Sequence, residues 1–152
     1  MGKTNIKYLV MDVDGTLTDG KIYMGQNGEL FKAFDIKDGY GIHDIAIPQD
    51  IIPIIITGRK SNIVLKRCEE IGITQIYQGV HNKIEKLTEV TSELSIVAYI
   101  GDDILDLECM VLIKKAGGPR NAVKQVLQIA DFVSPHNGGE GAVRDFIEWL
   151  LV

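Results

Sequence analysis

The run Tyr8-Leu9-Val10-Met11-Asp12-Val13-Asp14-Gly15-Thr16-Leu17-Thr18 decides how the rest of the chain is read. Its apolar start suits a strand buried on both faces, the environment of a parallel sheet. The run then breaks into acids and a glycine. On a strand, residues i and i+2 point the same way, so Asp12 and Asp14 are expected on one face at the carboxyl end. Ligands of open α/β sheets collect in the crevice at those ends. Two neighbouring carboxylates repel unless a cation lies between them, and hard oxygen ligands suit Mg2+. Gly15 lets the chain turn away tightly.

Outward from this run the same rhythm repeats. Short β-branched runs at 6–11, 51–56, 75–77, 96–100 and 131–133 predict five strands. Ser61 is placed to cap a helix with Ile63, Val64, Cys68 and Ile71 on its apolar face, and Gly72 supplies the stop. Ile84, Leu87, Val90 and Leu94 mark a second helix; Val143, Phe146, Ile147 and Leu150 mark a last one. Strands alternating with helices predict an α/β fold: a three-layer, Rossmann-like parallel sheet with right-handed crossovers. One segment, 21–34, departs from the rhythm. Ile22-Tyr23-Met24 and Leu30-Phe31 flank Gly25-Gln26-Asn27-Gly28, which predicts a β-hairpin inserted after the first strand.

The chain has 152 residues, of which 45% are apolar and 24% charged, with a formal charge of −5. That length and composition predict one globular domain, 1–152, with a core that needs no disulfide staples. Cys68 and Cys109 read as buried free thiols of a reducing cytoplasm. The acidic balance argues against nucleic acid as a partner. No apolar run approaches the length of a membrane span, and the polar start at 1–7 shows no signal peptide.

Three more strand ends carry chemistry. Ile100-Gly101-Asp102-Asp103-Ile104-Leu105-Asp106 brings three further acids. If its strand neighbours the first, five carboxylates meet in one crevice, which requires a divalent metal. Asp106 also suits a helix start, where acids complement the dipole. Ile56-Thr57-Gly58-Arg59 ends another strand in a hydroxyl and a glycine. Thr57 suits either a helix cap or, with the coming helix N-terminus, a phosphate cradle; Arg59 is fitted to bind a carboxylate or phosphate bidentately. Lys83 opens a helix against its dipole, so an anion is expected nearby.

This ordered set, Asp-x-Asp-Gly-Thr, Thr-Gly, Lys and Gly-Asp-Asp, resembles the haloacid dehalogenase-like phosphohydrolases. A closer resemblance runs through Gly20-Lys21-Ile22-Tyr23, Gly28-Glu29, Lys32-Ala33-Phe34, Asp38-Gly39-Tyr40-Gly41-Ile42, Thr57-Gly58-Arg59-Lys60-Ser61 and Gly138-Gly139-Glu140-Gly141. It is to the capless 3-deoxy-D-manno-octulosonate 8-phosphate phosphatase family. The resemblance implies that Asp12 attacks phosphorus and forms an aspartyl-phosphate. Asp14 would act as acid and then base, with a pKa raised by neighbouring carboxylates. Mg2+ would be held by Asp12, the backbone carbonyl of Asp14 and Asp102, with Asp103 and Asp106 behind them. Thr57 and Lys83 would hold the phosphoryl group. Asp35, Lys37, Asp38, Gly39, Arg59 and Arg67 would contact the phosphorylated sugar acid. His43, where the family usually has Arg, would be a further contact to the sugar acid. No stretch is long enough for a cap domain; the resemblance implies instead a homotetramer through the hairpin 21–34, a cytoplasmic location and a place in lipopolysaccharide synthesis.

Three alternatives remain at this stage. One is a phosphatase for the 9-phosphate of a nine-carbon ulosonic or sialic acid, against which Arg59 speaks. Another is a non-catalytic oligomerisation module associated with a cytidylyltransferase, against which the full set of acids speaks. The third, a phosphorelay receiver, needs an aspartate where Thr57 stands.

Overall fold

The computed structural model describes residues 4–152, so 1–3, part of the polar start, lie outside the described residues. The chain runs through β1 (Tyr8–Met11), β2 (Tyr23–Gly25), β3 (Gly28–Phe31) and α1 (Ile36–Tyr40). A wide π-type turn, Gly41–Ala46, and a 3-10 turn, Ile47–Gln49, lead into β4 (Ile52–Ile56) and α2 (Asn62–Glu70). There follow β5 (Gln75–Tyr77), α3 (Lys83–Val90), β6 (Val97–Ile100), α4 (Leu107–Leu112) and β7 (Lys115–Gly118). The chain finishes with α5 (Lys124–Ile129), β8 (Phe132–Val133) and α6 (Ala142–Leu150).

Six strands form one parallel sheet in the order β5-β4-β1-β6-β7-β8. β1 therefore has β4 on one side and β6 on the other. Met11 stands opposite both Ile55 and Ile100, so the residues that follow these three strands emerge side by side. Alternation along β1 divides the core. Leu9 and Met11 pack on one face with Val64, Cys68, Val143, Phe146 and Ile147, from α2 and α6. Val10 packs on the other with Leu87, Cys109, Met110 and Val126, from α3, α4 and α5. These are the three layers expected from the sequence.

The hairpin forms as expected. β2 and β3 pair antiparallel around Gln26 and Asn27, and Tyr23 stacks on Phe31 with ring centroids 4.3 Å apart. It belongs to a separate two-stranded sheet, and Met24 (64%) and Leu30 (66%) are exposed.

Two expectations need correction. A sixth strand, β7, was not foreseen. Its sequence Lys-Ala-Gly-Gly has no apolar run, because the packing forbids one. A Cβ at Gly117 would overlap the Phe146 ring, and Lys115 lays its ammonium over Trp149 at 4.9 Å. Leu94 does not extend the second helix. α3 ends at Val90, where Thr91 turns extended, and Leu94 lies on a separate 3-10 turn. Among the described residues no helix is long and apolar enough to cross a membrane.

Candidate active site

The carboxyl ends of β1, β4 and β6 open into a cavity of about 210 Å3. Asp12, Asp14, Thr57, Arg59, Lys83, Asp103 and Asp106 line it. The Asp12 backbone N–H donates to Ile100 O at 3.2 Å, so the sheet ladder continues one step past Met11 and fixes the Asp12 backbone. The chain then turns at Gly15, whose φ is +88°. A Cβ at Gly15 would overlap the Asp102 carboxylate, so this glycine provides both the turn and the approach of β6's acid to β1's.

Asp12, Asp102 and Asp106 each place an oxygen within 4.8 Å of the others. Burial and charge repulsion show in the proton affinities of Asp12 and Asp102. Burial, then the Asp106 charge, raises the Asp12 pKa against the opposing pull of Lys83. Burial, then Asp12, pushes Asp102 up to about 8. A site that favours protons on two carboxylates is short of positive charge, and a hard divalent cation matches that donor set.

Asp106 has a different environment from the other two. It is fully buried and accepts from Lys83 Nζ (2.8 Å), Tyr99 Oη (2.6 Å), Asp102 N (3.0 Å) and Asp103 N (3.1 Å). Four donors occupy the roughly four lone-pair sites of a carboxylate. Asp106 thus ties the Asp102 backbone to Lys83. Lys83 in turn donates to Asp12 Oδ1 at 3.0 Å. Burial would lower the Lys83 ammonium, but the charges of Asp12 and Asp106 outweigh it, and its pKa is raised. The anion expected beside a lysine at a helix start is therefore this carboxylate pair.

The five carboxylates meet around one crevice, and among the described residues three of them, Asp12, Asp102 and Asp106, lie close enough to share an ion. β1 ends at Met11, so strand alternation no longer orients Asp14. Its Oδ1 accepts from Lys32 Nζ at 2.7 Å; the group against it is an ammonium rather than a carboxylate. Asp103 is exposed and caps its own turn, accepting from Ile104 N at 2.7 Å. Thr57 is buried in the cavity wall, its N–H bonded to Tyr77 O at 3.0 Å. It caps no helix; Ser61 caps α2, as expected. Arg59 faces the cavity with Nη1 3.6 Å from Glu29 Oε2.

The remaining sugar-contact candidates lie elsewhere in the single chain. Gly39, His43 and Arg67 line a second cavity of about 220 Å3 that shares no lining residue with the first. Asp35 caps α1, accepting from Lys37 N at 2.7 Å, and Lys37 is exposed. Asp38 is 1% exposed, and its Oδ1 accepts from Arg144 N at 2.9 Å in the first turn of α6. Its Oδ2 has no partner, and burial raises its pKa to about 7. The tail glycines approach the acid-bearing loop of their own chain. Gly139 N donates to Thr16 O at 3.2 Å, and a Cβ at Gly138 would overlap Gly15 O.

Sequence reading missed Lys32, Glu29 and Tyr99 as parts of this site. The available signals were a tyrosine inside a fully buried strand, whose hydroxyl needs a partner, and the charges of Glu29 and Lys32 on either side of the apolar pair Leu30-Phe31.

No protein-family model matches the chain. It is 44% identical to the 3-deoxy-D-manno-octulosonate 8-phosphate phosphatase KdsC of Escherichia coli K12, covering 97% of this chain and 80% of that one. The fold superposes on the crystal structure of 3-deoxy-D-manno-octulosonate 8-phosphate phosphatase from Yersinia pestis with a TM-score of 0.92 at 39% identity, over 97% of this chain and 82% of that one. It superposes equally well, with a TM-score of 0.92 at 38% identity, on the Moraxella catarrhalis phosphatase of the same name in complex with magnesium, phosphate and KDO; coverage is 97% and 87%.

Proposed function

Because the chain belongs to the 3-deoxy-D-manno-octulosonate 8-phosphate phosphatase family of haloacid dehalogenase-like hydrolases, we propose that it hydrolyses that sugar-acid phosphate through Asp12. The reaction class is phosphoric monoester hydrolysis. One observation carries the reading. A nucleophile at the end of β1 meets Asp102 beside it and a buried lysine across it, on the open end of a parallel sheet.

Asp12, Asp102 and the backbone carbonyl of Asp14 are the residues that would hold Mg2+. Bound there, the ion offsets the charge of the acids and of the phosphoryl oxygens. In the first step an Asp12 oxygen forms a bond to phosphorus while the bond to the sugar oxygen breaks, and that oxygen takes a proton from Asp14. In the second, Asp14 takes a proton from water as its oxygen attacks phosphorus. The bond to Asp12 breaks and inorganic phosphate leaves. Dividing the displacement in two lowers each barrier. Lys83 and Thr57 hold the phosphoryl oxygens. Lys83 is already held by Asp106, so its charge is in place before substrate arrives.

Arg59 lines the cavity, and a guanidinium where phosphatases for nine-carbon sugar acids tend to carry an acid supports an eight-carbon substrate. The cavity is small and open, and among the described residues no cap domain covers it, which supports a homotetramer in which neighbours complete each site. The exposed apolar residues of the hairpin 21–34 are the surface for it, since a two-stranded ribbon gains little stability alone. A single domain over 1–152, a cytoplasmic location and a role in lipopolysaccharide sugar synthesis complete the proposal.

The test is phosphate release from a panel of sugar-acid phosphates with and without Mg2+. Asp12→Asn abolishes it; retained turnover refutes the covalent route. Preference for the nine-carbon 9-phosphate refutes the substrate assignment, and no turnover on any phosphate leaves an oligomerisation module in its place.

A further inference from the structure

Two side chains outside the mechanism connect the hairpin to the active site. Lys32 follows β3 directly, and its side chain is 1% exposed. Its Nζ donates to Asp14 Oδ1 at 2.7 Å and to Glu29 Oε2 at 3.0 Å. Glu29, on β3, is 13% exposed and also faces Arg59. A buried ammonium is costly unless it is paired, and here both partners are carboxylates. Asp14 itself stands on a turn beyond the sheet, where no strand ladder fixes its side chain. Among the described residues, Lys32 is the hydrogen-bond donor to its carboxylate.

We propose that Lys32, anchored by Glu29, is a positioning residue for Asp14. It engages Oδ1 alone and thereby turns Oδ2 toward the leaving oxygen. The proposal rests on the acid–base role of Asp14 given above. In the first step the proton on Oδ2 passes to the sugar oxygen as its bond to phosphorus breaks and the bond from Asp12 forms. Lys32 touches neither phosphorus nor sugar. The hairpin therefore sets the geometry of proton transfer as well as offering an apolar surface.

The experiment compares kcat/KM on an alkyl sugar phosphate with kcat/KM on p-nitrophenyl phosphate. An alkoxide needs a proton to leave, whereas p-nitrophenolate does not. Lys32→Met is expected to lose about 100-fold on the alkyl substrate and less than about 5-fold on the aryl one. Its Mg2+ affinity by calorimetry stays at the wild-type value. Equal losses on both substrates, or none on the alkyl one, overturn the proposal. Glu29→Gln, which keeps the Lys32–Asp14 pair but loosens its anchor, shows a weaker loss with the same substrate bias. It decides the matter should Lys32→Met not fold. Asp14→Asn serves as reference. If its loss is not biased to the alkyl substrate, the acid–base reading fails. If it is biased and both hairpin variants are not, only the positioning role fails.

Discussion

Asp38→Asn tests the pH dependence of folding at a site away from the acid cluster. Asp38 is 1% exposed, caps α6 with Oδ1 and leaves Oδ2 unpaired. Burial raises its pKa from 3.8 to about 7; the hydrogen bond from Arg144 N and the backbone N–H of Gly141 oppose it, while Asp35 and Asp145 add to it. Between these two values the folded chain binds a proton that the unfolded chain releases. Stability therefore falls as pH rises through that window and is level above it. The gap between 3.8 and about 7, at about 1.4 kcal/mol per pH unit, corresponds to about 4 kcal/mol once the group is fully ionised. About 2–3 kcal/mol of that develops between pH 5 and pH 8. Asparagine keeps the acceptor for Arg144 N and never ionises. Its unpaired amide adds a cost of about 1–3 kcal/mol, but that cost does not vary with pH. Urea unfolding of both proteins at several pH values is the measurement. The stability of Asp38→Asn relative to wild type should climb by about 2–3 kcal/mol from pH 5 to pH 8. A difference that stays flat across this range refutes the argument that burial holds a proton on Asp38.

Other substitutions probe the site and the surface. Gly15→Ala puts a Cβ into the Asp102 carboxylate at a φ of +88°, so Mg2+ affinity measured by calorimetry should fall at least about tenfold. Lys83→Met strips the cation from Asp12 and Asp106. Turnover should vanish, and without Mg2+ denaturant titration should show a loss of about 3–5 kcal/mol, part of which saturating Mg2+ restores. Leu30→Asp puts a charge on an exposed apolar hairpin position. Light scattering should then report a smaller particle than wild type, with an unchanged far-UV spectrum; an unchanged mass would remove the hairpin from the interface.

The sheet was legible because β1, β4 and β6 are buried on both faces and so are written in unbroken apolar residues. β7 was not legible, since the Phe146 ring occupies the space a side chain at Gly117 would need. The π-type turn at Gly41–Ala46 was equally hidden, because a six-residue turn has no periodicity to read. In the site, the acids at strand ends were evident from spacing. Their partners were not. Lys32 reaches Asp14 across 18 positions, and Asp38 reaches Arg144 across 106. No local pattern encodes a contact between segments that meet only after folding. Of the five acids in the crevice, Asp14 stands apart from the tight cluster for a related reason. Alternation holds only while the strand lasts, and β1 ends before Asp14.

The two tail glycines lie against main chain. Gly138 faces the carbonyl of Gly15, and Gly139 faces the Thr18–Asp19 peptide. Main-chain atoms cannot be trimmed by mutation, so no second-site change can relieve a methyl introduced at either position. The exposed Glu140 beside them carries no such constraint, so a side chain can be changed there without pressing on the nucleophile's loop.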